Sequence, residues 1–152
     1  MKINKSVEQG VYVACILALQ KDHTAVKSQV LSRLLDVSDS YLKKILAKMS
    51  KANLITSIAN KAGGYKLARP ATQITVYDVF SALDENKNVL NFQHLADNIF
   101  DDLDNAHQSE KKVHDAFEKG FDLLYAELKK LKISDLLVQE YVANGYKDWN
   151  AN

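Results

Sequence analysis

Apolar residues recur at helical spacing along most of this chain, and the pattern breaks at a few short, turn-prone segments. Val7, Val11, Ala14 and Ala18 mark one stripe of a helix predicted from Ser6 to about Gln20, while Tyr12, Ile16 and Leu19 fill another face. A helix apolar nearly all round is expected to be buried on several sides. A shorter helix is predicted from Lys27 to Leu35, with Val30, Leu31, Leu34 and Leu35 apolar, and a tight break follows at Asp36-Val37. Ser38 is the expected cap of the next helix, because its hydroxyl accepts from the free N–H groups of the first turn. That helix runs from Asp39 to about Ala52. Its Leu42, Ile45, Leu46 and Met49 fall at i, i+3, i+4 and i+7, a single core-facing stripe, and Asn53 is the expected stop.

The period then changes. Leu54 to Ile58 is short and β-prone, Ala59 to Gly64 is a turn-rich tip, and Tyr65 to Ala68 is a second short strand. Together they predict a hairpin, with Gly63 and Gly64 supplying the positive φ values of a tight reversal. After Pro70, the chain's one proline, Thr75 and Asp78 resemble a capping box, and Val76, Val79, Phe80 and Leu83 keep helical spacing. Asp84 to Asn105 is polar and predicts at most a short helix around Phe92–Phe100. A long helix is predicted from Ala106 to Leu131, and Ser134 is the expected cap of a last short helix through Val142.

Composition narrows the class. The 152 residues are 47% hydrophobic and 26% charged, which excludes a wholly disordered chain. No run of about 18 apolar residues predicts a membrane span, and the first residues do not resemble a signal peptide. The single cysteine, Cys15, cannot form an internal disulfide, which suits a reducing cytoplasm; it reads as a small core side chain. The net charge of +1 conceals a split. Residues 1–70 carry 12 Lys/Arg against 4 Asp/Glu, and residues 71–152 carry 8 against 15. A basic half of +8 beside an acidic half of −7 suggests that the first half meets a polyanion.

Helix, helix, tight turn, helix and hairpin is the order of a winged helix-turn-helix. Burial of the third helix's apolar stripe turns Ser40, Tyr41, Lys43, Lys44, Ala47, Lys48 and Lys51 outward, and four lysines suit a phosphate-lined groove. Residues near a recognition helix's N-terminus reach base edges, here Ser38, Asp39, Ser40, Tyr41 and Lys44. Ser28 and Gln29, opening the second helix, and Asn60 and Lys61, at the hairpin tip, complete the candidate DNA-binding set.

In the long helix, Val113, Phe117, Gly120, Leu124, Leu128 and Leu131 recur at steps of four or three, a heptad seam. The seam packs on its own domain, on a second copy, or on both. A two-fold dimer would set two recognition helices roughly 34–36 Å apart and require a pseudo-palindromic site. Glu118, Lys119, Glu127 and Lys129 form a solvated flank.

The segment Leu31 to Leu46 resembles the helix-turn-helix of the IscR-type bacterial regulators, the Rrf or BadM family. Gly63 to Pro70 resembles that family's wing, and Ile74 to Val79 the start of its following helix. The resemblance runs through nearly the whole chain, although the long helix matches only in pattern. It implies a cytoplasmic homodimeric transcription factor, usually a repressor, with DNA contacts at Lys2, Ser38, Ser40, Tyr41, Lys43, Lys44 and the wing around Ala59 to Lys61. Two departures matter. Many members hold an iron–sulfur cluster on three cysteines before the long helix, whereas residues 90–105 here contain none, so no cofactor is expected. The wing has Ala59-Asn60 where the family often has Arg-Gly, so the operator of a relative does not transfer.

The fold expected is mainly α: a winged helix-turn-helix over residues 1–83, then a linker, a long dimerisation helix and a short C-terminal helix over 84–152. No P-loop, dinucleotide fingerprint, nucleophile elbow or metalloprotease helix suggests an enzyme. Asp97, Asp101, Asp102 and Asp104 read as a solvated charge run, and His94, His107 and His114 lack a clear ligand spacing. The expected partners are double-stranded DNA and a second copy, with a small-molecule effector possible near Asp84–Asn105 and no membrane. A protein-interaction adaptor and a metal- or ligand-sensing regulator are the alternatives.

Overall fold

In the computed structural model the chain is described over residues 2–85 and 90–151; residues 86–89 of the polar Asp84–Asn105 stretch lie outside the described residues. Helix α1 (Lys5–Ala18) starts at Asn4, whose side chain accepts from Ser6 N–H at 3.1 Å. Its buried residues include Val13, Ala14, Leu17 and Ala18, while Tyr12 is exposed, so one face stays open. Helix α2 (Ser28–Leu35) ends where Asp36 turns left-handed at φ 52°. Helix α3 (Asp39–Lys51) begins at Ser38, whose hydroxyl accepts from Tyr41 N–H at 3.2 Å, and Asn53 at φ 57° ends it. Leu42, Ile45, Leu46 and Met49 are all buried, as their spacing requires.

Strands β1 (Ile55–Ile58) and β2 (Gly64–Leu67) pair antiparallel in the register Ile55↔Leu67 to Ile58↔Gly64. The two glycines before Tyr65 do different work. Gly64 alone has the positive φ, +148°, and a Cβ there would strike the carbonyl of Val26. Gly63 is needed for space, since its Cβ would fall on the Ile58 carbonyl, and not for the positive φ expected of it.

Helix α4 (Val76–Leu83) has the capping box: Thr75 Oγ1 accepts from Asp78 N–H at 3.1 Å, and Asp78 accepts from Thr75 N–H at 2.8 Å. Arg69 adds a third tie to the Asp78 carboxylate at 3.1 Å. Val79 and Leu83 reach the core beside Gly10 of α1. A Cβ at Gly10 would strike Leu83 Cδ1 and approach Val79 Cγ1 to 2.9 Å, so glycine sets how closely α1 and α4 pack.

Contacts divide the chain into two compact units, residues 1–85 with 128–152, and residues 86–127. In the first, the chain after the long helix returns to α1 and to the segment before α4: Ile133 N–H donates to Ile74 O, and Ile133 is fully buried. Ser134 is buried inside a 3₁₀ turn (Ile133–Leu136) and is not the cap expected of it, because Lys132 N–H instead pairs with Asp135. The last helix, α6, is restricted to Gln139–Asn144. Helix α5 (Leu103–Lys130) starts earlier than its apolar pattern indicates and stops one residue before Leu131. The short helix expected around Phe92–Phe100 is a 3₁₀ turn (Leu95–Asn98). The architecture is mainly helical with a two-stranded wing. No helix among the described residues is long and apolar enough to cross a membrane.

Candidate nucleic-acid interface

At about 100° per residue, the buried stripe of α3 fixes what its outer surface presents. Ser40, Lys44, Ala47 and Lys51 fall at the centre of that surface. Lys43 lies on one flank, with Tyr41 and Lys48 on the other. Ser40, Lys44, Ala47 and Lys51 are all exposed. Lys44 and Lys51 make no ion pair among the described residues.

The flanks are tethered. Lys43 Nζ pairs with Asp39 at 2.8 Å, one turn earlier, and that carboxylate holds the ammonium above its usual pKa. Asp39 also favours the positive end of the α3 dipole. Tyr41 Oη donates to Gln9 Oε1 of α1 at 2.9 Å, which fixes a ring that stays partly exposed. Lys48 pairs with Glu85, just beyond α4. Lys44 and Lys51 therefore form a cationic column, without ion pairs among the described residues, between side chains already engaged with carboxylates or amides.

The other candidate residues lie in the same unit as α3. Ser28 is half-buried at the first position of α2, and Gln29 beside it is exposed. Asn60 and Lys61 are exposed at the hairpin tip, where Gly63 N–H closes the turn on Asn60 O at 2.8 Å. Lys2 is exposed ahead of α1. Gln9 and Glu85 were not legible as parts of this surface. Both are distant in sequence from α3, and no periodicity marks them.

Helix α5 leaves several of its apolar residues exposed in a single chain. Val113 is 49% and Phe117 52% exposed, nothing lies within 4 Å of a Cβ built on Gly120, and Ala106 is the one residue of the helix that is buried. Leu124 and Leu128 are half-buried, and Leu131 follows the helix end. Phe117, Phe121 and Tyr125 form a row of rings with centroids 6.4 and 6.5 Å apart, an i, i+4 ladder beside the seam.

In the second unit, His94 Nδ1 meets Glu110 Oε2 at 2.8 Å, and His107 Nε2 meets Asp97 Oδ1 at 2.5 Å. The two pairs cross between the 3₁₀ turn and α5. With Phe92 and His114 they line a cavity of about 450 Å³. Among the described residues, no group of three or more His, Cys, Asp and Glu side chains is placed to hold a metal ion.

The sequence matches the Rrf2 family, described as "Iron-dependent Transcriptional regulator", over residues 3–139. It is 28% identical over 149 residues to YwgB of Bacillus subtilis (strain 168), by name a candidate HTH-type transcriptional regulator, covering 98% of this chain and 94% of that one. The fold is similar to that of T. potens IscR, with a TM-score of 0.65 at 23% identity over 90% of this chain and 85% of that one. It is also similar to that of the oxidized form of Staphylococcus aureus CymR, with a TM-score of 0.64 at 20% identity over 90% and 95%.

Proposed function

Because the chain belongs to the Rrf2 family of transcriptional regulators and is not an enzyme, we propose that it is a homodimeric, sequence-specific repressor that binds a pseudo-palindromic operator without an iron–sulfur cluster. The observation that carries this reading is the free cationic column of α3, Lys44 and Lys51 with Ser40 and Ala47, beside a basic wing. Lysine–phosphate contacts supply affinity, and the start of α3, Ser38 to Tyr41, selects bases.

The family's description invokes iron, and the donor set here does not fit a cluster. Residues 90–105 contain no thiol, and the chain's one cysteine is buried in α1 of the other unit. Cluster irons need several thiolates. The exposed seam residues Val113 and Phe117 of α5 support pairing with a second copy, because burial against another chain would remove them from water. A small-molecule effector is assigned to the histidine-lined cavity, and the working compartment to the cytoplasm.

A gel shift on the duplex upstream of the protein's own gene, repeated across salt concentrations, tests the reading. Affinity should fall steeply with salt, because counterion release drives binding. Salt-independent binding, or none, rejects it.

A further inference from the structure

The family match covers residues 3–139 and leaves the residues after it outside. Residues 145–151 follow α6 and lie along residues 19–27, the loop from α1 to α2. Tyr146 N–H donates to Leu19 O at 2.8 Å and Lys21 N–H to Lys147 O at 3.0 Å, and Gln20 and Lys147 form a parallel bridge. The side chain of Gln20 has no solvent exposure, and the segment satisfies it. Its Nε2 donates to Asp148 Oδ1 at 2.8 Å and to Thr24 Oγ1 at 3.0 Å, and its Oε1 accepts from Trp149 N–H at 2.9 Å.

Asn150 reaches furthest. Its Nδ2 donates to Ala25 O at 2.8 Å, and its Oδ1 accepts from Lys27 N–H at 3.1 Å. These two bonds bracket Val26. Val26 in turn exchanges backbone hydrogen bonds with Tyr65 of β2, 2.8 Å each way, while Lys27 is the cap residue of α2. One side chain therefore holds the point at which the wing and the start of α2 meet. The loop needs an external hold: Asp22 and His23 sit at φ 55° and 49°, a costly region for side chains other than glycine.

We propose that residues 145–151 form a strap that sets the spacing between the wing and the start of α2, with Asn150 as the positioning residue. The inference rests on the DNA-binding reading above. Asn150 acts through Val26 and Lys27, so its loss disturbs the register of base contacts while the sequence-independent phosphate contacts of α3 remain.

The test uses the full chain and two duplexes: one enriched by the unaltered chain from a random-sequence pool, and an unrelated one of equal length. Asn150→Ala should bind the enriched duplex about tenfold more weakly, the scale of one lost hydrogen-bonded contact. Its binding to the unrelated duplex should hold, and amide exchange at Val26 and Lys27 should quicken. Asn150→Asp keeps the acceptor for Lys27 N–H and should recover part of the loss. If the unaltered chain enriches a duplex and both variants bind it equally well, the strap's role is overturned and the DNA reading stands. Equal losses on both duplexes also overturn it, since they indicate a general structural defect. Failure of the unaltered chain to enrich any duplex overturns the DNA reading and this inference with it.

Discussion

Lys48, on the outer flank of α3, is held by the carboxylate of Glu85, two residues past the end of α4. The ammonium in turn holds the Glu85 carboxyl below its usual pKa. Lys48 must leave this partner to meet a phosphate, whereas Lys44 has no ion pair to break among the described residues. Lys44→Ala should therefore weaken DNA binding more than Lys48→Ala, and should lower the slope of log affinity against log salt by about 1. Glu85→Gln should tighten binding by freeing Lys48 and removing a negative charge from the proposed DNA face. Fluorescence anisotropy over a salt series checks all three. Weaker binding by Glu85→Gln would show that the pair positions Lys48 rather than occupying it.

The seam on α5 makes a separate prediction. Phe117 is half exposed at its middle, followed one and two turns on by Phe121 and Tyr125. Burying a charge among these rings in a pair of helices is costly. Phe117→Asp should convert a dimer to a monomer in light scattering at micromolar concentration and leave far-ultraviolet circular dichroism nearly unchanged. A monomer before the substitution would remove the pairing.

The His107–Asp97 contact makes stability depend on pH. Its hydrogen bond to Asp97 comes first among the causes that raise the His107 pKa above the usual 6.5, with Glu110 and Asp104 adding to it and partial desolvation opposing it. A raised folded value means that the stabilisation is fully present below about pH 6.5 and is lost as pH rises through the folded value. Asp97→Asn should lower the midpoint of the His107 ring resonances in an NMR titration. An unshifted midpoint would show that the carboxylate does not hold the imidazolium in solution.

Two glycines should respond in opposite directions. At Gly10, an added methyl strikes Leu83 and crowds Val79, so Gly10→Ala should cost about 1–3 kcal/mol through overpacking. At Gly120 an added methyl meets nothing, and alanine inside a helix should stabilise by roughly 0.5–1 kcal/mol. Urea denaturation measures both. A loss at Gly120 would show that another helix approaches closely at that point of the seam.

Local rules made much of this fold legible. The buried stripe of α3, its Ser38 cap, the Asn53 stop and the Thr75–Asp78 box depend on residues within a few positions of one another. The exposed lysines of α3 follow from the same stripe. What holds the flanks of this surface does not, because Gln9, the partner of Tyr41, and Glu85, the partner of Lys48, come from elements 32 and 37 positions away. The role given to Ser134 failed for a similar reason: its neighbourhood is set by Ile74 and Ile133, brought together by tertiary packing. Gly63 and Gly64 share a need for space, and only Gly64 adds a positive φ.

Cys15 offers a last prediction, about how the protein is not switched. It lies on the buried side of α1, and burial pushes its thiol up to about 11. The thiolate is the reactive species, and burial disfavours it at pH 8. In the native chain, labelling by an aromatic disulfide reagent should be at least about 100-fold slower than in denaturant. Because the side chain faces the core and not the DNA surface, mild peroxide should leave DNA affinity unchanged, and Cys15→Ala should change stability more than binding. Rapid native labelling, or a peroxide-sensitive gel shift abolished by Cys15→Ala, would make this thiol a sensor instead of a packing group.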